Sequence, residues 1–203
     1  MEWDEDRRKW KLTPAQVSDV MDNWMQYQKT YAKLPEEVRD EIDVATLNPA
    51  QRRFYNVVCS AIDSGQRTLV DLSGAAGTGK SYAITAICQY AERKTGSKST
   101  VLVTAPTGSA ASLLPGGRTI HSLLKIRPED GFKQHEEPLQ GQALHMLQTT
   151  FRETKVLIMD EKSMCGLGRL SQVHRRLCQA KESTEPFGGL TVVICGDIRE
   201  DFL

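Results

Sequence analysis

Eight consecutive residues, Gly74-Ala75-Ala76-Gly77-Thr78-Gly79-Lys80-Ser81, restrict this chain more than any other stretch. Glycine reaches positive φ without a steric cost, so three glycines in eight positions let the backbone fold tightly around a small group. The run Thr68–Ser73 before them reads as a strand, and a helical pattern follows to about Thr95. In that setting the spacing G-x-x-x-x-G-K-[ST] wraps a phosphate chain. Main-chain N–H groups and the helix N-terminus supply partial positive charge. Gly74, Ala75, Ala76, Gly77, Thr78, Gly79, Lys80 and Ser81 are therefore the candidate nucleotide-binding residues. Lys80 would reach the β- and γ-phosphates, and the Ser81 hydroxyl would ligate Mg²⁺. A glycine-rich turn with an incidental lysine is the plainer reading of the same letters.

From Leu47 onward helix and strand alternate. Asn48-Pro49 opens a helix that Gly65 closes. Thr100–Ala105 is a second strand, Thr107–Leu114 and Thr119–Lys125 are short helices, and Arg127–Pro138 is a loop. A helix lies near Gln142–Arg152, a strand at Lys155–Asp160, a helix at Leu167–Ala180 and a strand at Leu190–Cys195. Apolar, β-branched strands alternating with helices imply an α/β fold, a parallel sheet with helices on both faces. Residues 1–46 read as a helical N-terminal extension, with Thr13-Pro14 as a helix start and Val17, Val20, Met21, Trp24 and Tyr31 at helical spacing. Trp24 and Tyr31 would either stack on bases or form the buried stripe of that helix. A short acidic helix is expected from Pro35 to Asp43.

The strand Val156-Leu157-Ile158-Met159 ends in Asp160-Glu161. Open α/β sheets bind ligands at the carboxyl ends of their strands. Asp160 is placed there to hold Mg²⁺, and Glu161 to orient and deprotonate an attacking water. Two acids after a strand are ordinary on a surface, so it is the pairing with the phosphate loop that gives them meaning. Lys80, Asp160 and Glu161 are the candidate catalytic residues, and Ser81 and Asp160 the candidate metal ligands.

Composition narrows the partners. Lys plus Arg and Asp plus Glu both total 26, so bulk charge announces no nucleic acid, and any such surface must be local. The 5 cysteines form no CxxC pair, and the 4 histidines make no metal motif. Reduced thiols in an intracellular protein are expected. Apolar runs such as Leu190–Cys195 are far too short to cross a bilayer, so no membrane partner is expected.

Further stretches fit one family. Leu47-Asn48-Pro49-Ala50-Gln51-Arg52 precedes the phosphate loop, and Thr104-Ala105-Pro106-Thr107-Gly108-Ser109-Ala110-Ala111 follows the second strand. Gly116-Gly117-Arg118-Thr119-Ile120-His121-Ser122-Leu123 comes next, then Asp160-Glu161-Lys162-Ser163-Met164. Pro186-Phe187-Gly188-Gly189 leads into Val192-Val193-Ile194-Cys195-Gly196-Asp197. In this order they resemble the superfamily 1 DNA helicases of the petite-integration-frequency (PIF-one-like) type, including relatives carried by Helitron transposons. The resemblance covers Leu47 to Asp197.

It implies a RecA-like phosphate-loop domain over residues 47–203, the first motor domain of an ATP-dependent DNA helicase of 5′→3′ polarity. It also implies ATP and Mg²⁺ as ligands and single-stranded DNA as partner. Gln51 resembles a glutamine that reads adenine. Pro106, Thr107 and Gly108 resemble a segment that holds DNA phosphates, and Thr119, His121 and Ser122 a second DNA-facing element. His121 is otherwise a satisfied core histidine. The strand at Leu190–Cys195 is implied to lie between those ending at Ser73 and Asp160, bringing Asp197 beside the γ-phosphate. Work in repair, recombination and telomere maintenance goes with the same resemblance; of the intracellular compartments the nucleus or mitochondrion is expected, with the cytoplasm left open.

Two departures stand out. Glu200 occupies the place of a γ-phosphate-sensing glutamine, and a carboxylate cannot donate to phosphate. Lys162 is charged where many relatives are apolar. The family's second RecA-like domain, with its arginine finger, is expected in the full-length protein and is not among these 203 residues. The alternative reading is accordingly a nucleotide- and DNA-binding fragment with no unwinding activity.

Overall fold

The computed structural model describes residues 41–126, 137–162 and 165–197. The expected helices within residues 1–40, most of the 127–138 loop, Ser163, Met164 and Glu200 lie outside the described residues. The expected acidic helix does not reach its C-terminal end: Asp43 is extended, and its carboxylate caps a single 3-10 turn, Val44–Thr46.

Five strands form one sheet: β1 (Leu69–Ser73), β2 (Val101–Ala105), β3 (Arg118–Thr119), β4 (Val156–Met159) and β5 (Thr191–Gly196). Their order is β1-β5-β4-β2-β3, and every pairing is parallel. The last strand in sequence is thus inserted between the first and the fourth, as the resemblance implied. Ser73 aligns with Gly196, and Met159 with Ile194, so three carboxyl ends open on the same edge.

Among the described residues six α-helices accompany the sheet: α1 (Pro49–Ser64), which precedes β1, and α2 (Lys80–Thr95), α3 (Gly108–Ser112), α4 (Ile120–Leu124), α5 (Gly141–Phe151) and α6 (Leu167–Lys181), which lie between strands. Alternation along each strand splits the interior into two cores. Val156, Ile158, Val193 and Cys195 pack with Val58, Ile62, Ile84 and Ile87 of α1 and α2. Leu157, Met159 and Val192 face the other way, onto Leu123, Leu147, Phe151, Val173 and Leu177 of α4, α5 and α6. Burial on both faces explains why β4 reads as an unbroken apolar run.

Local signals set the element ends. Asn48 caps α1 by accepting from the N–H groups of Ala50 and Gln51 at 3.0 and 2.9 Å, and Pro49 follows where no N–H is needed. Gly65 ends α1 in the left-handed region at φ 68°. The two-residue β3 leaves no signal in the sequence, because two residues carry no periodicity. Thr104 Oγ1 helps hold it by donating to the Arg118 carbonyl at 2.8 Å.

Candidate functional site

The loop between β1 and α2 extends the sheet by one bond, Gly74 N–H to the Gly196 carbonyl at 3.1 Å, and then turns away. Gly77 and Gly79 take φ of 77° and 78°, which L side chains rarely adopt. Thr78 steadies the turn: its hydroxyl donates to the Ala75 carbonyl at 2.8 Å. Gly79 precedes α2 without any side-chain cap, so no N-cap side chain takes up the first-turn N–H groups of the helix. Ala75 to Thr78 are exposed, and Ser81 is exposed at the start of α2.

Lys80 sits at the centre of this turn. Its ammonium donates to the Gly74 carbonyl at 2.6 Å, the Ala75 carbonyl at 3.1 Å and Asp197 Oδ1 at 2.8 Å. Its side chain is 16% exposed, against 34% for Asp197. The insertion of β5 beside β1 is what brings Asp197, 117 positions away in sequence, onto the loop lysine.

Gln51 reaches the loop from α1. Its Oε1 accepts from the Asn48 N–H at 3.0 Å, completing a capping box, and its Nε2 donates to the Thr78 carbonyl at 3.0 Å. A Cβ on Gly79 would lie 2.4 Å from that Nε2, so a side chain there would displace the Gln51 amide, and the φ of 78° is what requires glycine. The capping-box spacing Asn48-x-x-Gln51 is visible in the sequence and signals this structural task, which the adenine reading overlooked. Each amide atom keeps a second position, a lone pair on Oε1 and an N–H on Nε2 that meets the Gly79 carbonyl only at 3.4 Å, so pairing with a base displaces at most that weaker bond. Tyr82, 41% exposed, stands on the same side with its hydroxyl 2.8 Å from Thr46 Oγ1.

The carboxylates close the opposite side of the edge. Asp160 continues the ladder of β4, its N–H bonding the Thr104 carbonyl at 2.8 Å, and its Oδ1 accepts from the Glu161 N–H at 2.9 Å. Glu161 is exposed and left-handed at φ 57°. Lys162 then turns back over β5 to Asp71 and Ser73 on β1. Hydrogen bonding to Lys162 is the main force holding the Asp71 carboxyl below its ordinary range. Beneath these charges the Cys195 thiol is pushed up to about 12, first by burial and then by Asp160.

The two predicted DNA-facing elements meet at the far end of the sheet. Ala105 pairs with Thr119, which sets Pro106, Thr107 and Gly108 beside Thr119, His121 and Ser122. Both threonines are helix N-caps. Thr107 Oγ1 accepts from the Ala110 N–H and Thr119 Oγ1 from the Ser122 N–H, each at 3.2 Å. His121 is half-buried, and burial first, then the Arg169 charge, lower its imidazole pKa.

The donor set fits Mg²⁺ held with a phosphate chain: a hydroxyl and a carboxylate are hard oxygen donors, and such ions keep several waters. Among the described residues no group of three or more His, Cys, Asp or Glu side chains could hold a metal by itself. Nor is any described helix long and apolar enough to cross a membrane.

A family model described as PIF1-like helicase matches residues 46–201. The chain is 35% identical over 155 residues to the ATP-dependent DNA helicase RRM3 of Saccharomyces cerevisiae, covering 74% of this chain and 20% of that protein. To the ATP-dependent DNA helicase Pif1 of Psychrobacter it is 34% identical over 128 residues, 63% of this chain and 19% of the relative. Unliganded Pif1 from Bacteroides superposes with a TM-score of 0.55 at 28% identity, covering 74% of this chain and 31% of that one. Bacteroides Pif1 in complex with ADP-AlF3 and single-stranded DNA gives 0.53 at 30% identity, covering 75% and 32%. The chain therefore spans about a fifth of these curated relatives and about a third of these solved chains.

Proposed function

This chain belongs to the PIF1-like helicase family, and from that premise we propose that it is the ATP-binding motor half of an ATP-dependent DNA helicase. The carrying observation is Lys80, whose ammonium lies inside a turn built on Gly77 and Gly79 and is held by two loop carbonyls and Asp197. An ammonium in that place exchanges carbonyl partners for phosphate oxygens when nucleotide enters, and Asp197 keeps it from swinging out before then.

The chain's own residues divide the work. Backbone N–H groups from Gly77 to Ser81 cradle the phosphates. Ser81 and Asp160 would hold Mg²⁺, which when bound offsets charge on the transferring phosphoryl group. Glu161 orients a water and takes its proton at a carboxylate oxygen. Thr107 and His121, brought together by the β2–β3 pairing, present a surface to the sugar-phosphate backbone of single-stranded DNA. That Bacteroides Pif1 has been solved with ADP-AlF3 and single-stranded DNA supports both ligands for this chain.

The finer reading of 5′→3′ movement and a second RecA-like domain in the full-length protein comes by family likeness, and that of residues 1–46 as a helical extension from their helical spacing. A nuclear or mitochondrial location and tasks in repair, recombination and telomere maintenance belong to the same reading. The test is calorimetry with Mg·ATP on the wild type and on Lys80→Ala. Loss of the loop cation is expected to weaken binding at least about tenfold, roughly 1.4 kcal/mol. Equal affinity would remove the assignment.

A further inference from the structure

Lys162, the charged residue that follows Glu161, is not a surface side chain reaching into water. From the end of β4 it crosses the C-terminal end of β5 at Gly196, where a Cβ would lie 2.6 Å from Lys162 Cγ and 2.9 Å from Lys162 N. Only a residue without a side chain leaves that path open. Beyond β5 the ammonium reaches β1, donating to Asp71 Oδ1 at 2.7 Å, to Asp71 Oδ2 at 3.1 Å and to Ser73 Oγ. Ser73 in turn donates to Asp71 Oδ1 at 2.8 Å. Asp71 and Ser73 lie two apart on one face of β1, and Ser73 is the last residue before the phosphate loop.

Three strand ends are thus tied together, β4 to β1 across β5, at the edge where nucleotide chemistry is proposed. The residue before Lys162 is Glu161, left-handed at φ 57°, a backbone state that a glutamate adopts only when its surroundings hold it there. An ion pair this open, with Lys162 23% and Asp71 66% exposed, adds little to folding stability. Its consequence is geometric. It fixes the backbone on the C-terminal side of Glu161, while Asp160 Oδ1 fixes the N-terminal side through the Glu161 N–H at 2.9 Å.

We propose that Lys162 is a positioning residue, a clip to Asp71 and Ser73 that sets the Glu161 carboxylate, and with it the attacking water, relative to the phosphate loop. It rests on the motor reading above and assigns the departure at position 162 a task in the same site.

The experiment measures single-turnover hydrolysis of Mg·ATP with protein in excess, and the Mg·ATP dissociation constant. It uses the full chain as wild type, Lys162→Met, Lys162→Arg, Asp71→Asn, and Glu161→Gln with and without Lys162→Met. Methionine keeps the aliphatic path and removes the ammonium. Lys162→Met and Asp71→Asn should each slow hydrolysis about tenfold, because displacing a reacting group by a fraction of an ångström has costs of that order. Dissociation constants and thermal midpoints should stay close to wild type. Lys162→Arg should restore most of the rate, and Lys162→Met should add nothing to Glu161→Gln. Where wild-type turnover is too slow to follow, the same comparison is made on affinity for Mg·ADP–aluminium fluoride relative to Mg·ADP. That analogue holds a water in line, and Lys162→Met should lose about tenfold of the preference.

Wild-type behaviour of Lys162→Met by either readout overturns the clip. So does a rate loss matched by an equal loss of ATP affinity, or a further loss in the Glu161→Gln background. A wild type that binds no Mg·ATP sinks the motor reading itself, an outcome distinct from these.

Discussion

The two ends of the sheet's carboxyl edge are built differently. At the β1-β5-β4 end, Lys80 with Asp197 and Lys162 with Asp71 join three strands through charge-assisted bonds. At the β2-β3 end, the hydroxyls of Thr107 and Thr119 serve as caps of five-residue helices, and His121 is held toward its neutral form. One end carries paired charges arranged around a turn, and the other carries cap hydroxyls and a half-buried imidazole, with Arg118 on β3 and the charge of Arg169 near the ring. Nucleotide affinity should then hinge on single charged residues. DNA affinity should be weak, spread over several contacts and tied to salt through the phosphates.

The largest expected effect falls on catalysis at the charged end. Glu161→Gln removes the water-orienting base and should slow single-turnover hydrolysis by about 10²–10⁴-fold, with Mg·ATP binding retained. A loss below about threefold would place the base elsewhere and blur the division between the two ends.

Next comes the turn itself. Gly79→Ala puts a Cβ at φ 78° and 2.4 Å from Gln51 Nε2. The left-handed backbone alone costs about 1–2 kcal/mol, and Gln51 must also leave the Thr78 carbonyl. A thermal midpoint several degrees lower and Mg·ATP binding weakened at least about tenfold are expected. An unchanged midpoint would mean that position 79 is not held in the left-handed region.

These two residues also mark how far the sequence could be read. The strand–turn–helix around Gly74–Ser81 and the ends of α1 are local, each set by residues within four positions of one another, and were legible. So was the parallel α/β plan, because buried strands keep apolar residues on both faces. The place of β5 came from family likeness and not from periodicity, since no local signal says which strands are neighbours. The Lys80–Asp197 and Lys162–Asp71 bonds span 117 and 91 positions and exist only once that strand order and its register are known. Gln51 was read only as an adenine reader; the spacing Asn48-x-x-Gln51 also signals a capping box, and its contacts to Asn48 and Thr78 belong to that structural task.

At the β2-β3 end, Thr107→Ala and Thr119→Ala should each destabilise the fold by about 1 kcal/mol through loss of a cap, while serine at either position should restore it. Denaturant unfolding reads this. A DNA-binding loss above about tenfold with no loss of stability would show hydroxyls committed to phosphate and not to the helix.

The smallest effect concerns His121. Its pKa in the fold lies below the ordinary 6.5, through burial and then Arg169. The unfolded chain therefore takes up this proton before the folded chain does. Stability is unaffected above the unfolded value and falls as pH drops from there toward the folded one. His121→Gln should remove that slope from unfolding free energy measured just below pH 6.5. A slope of opposite sign in the wild type would mean that a carboxylate faces the ring.

The most direct measurement takes both ligands on one sample: Mg·ATP and a single-stranded oligonucleotide, titrated into the wild type and Lys80→Ala at low and high salt. Separate ends predict that Lys80→Ala loses at least about tenfold in nucleotide affinity while oligonucleotide affinity stays within about twofold. The oligonucleotide should bind weakly and lose affinity as salt rises, in both proteins alike. Equal Mg·ATP affinity in the two proteins, or nanomolar oligonucleotide binding that survives high salt, would contradict the division.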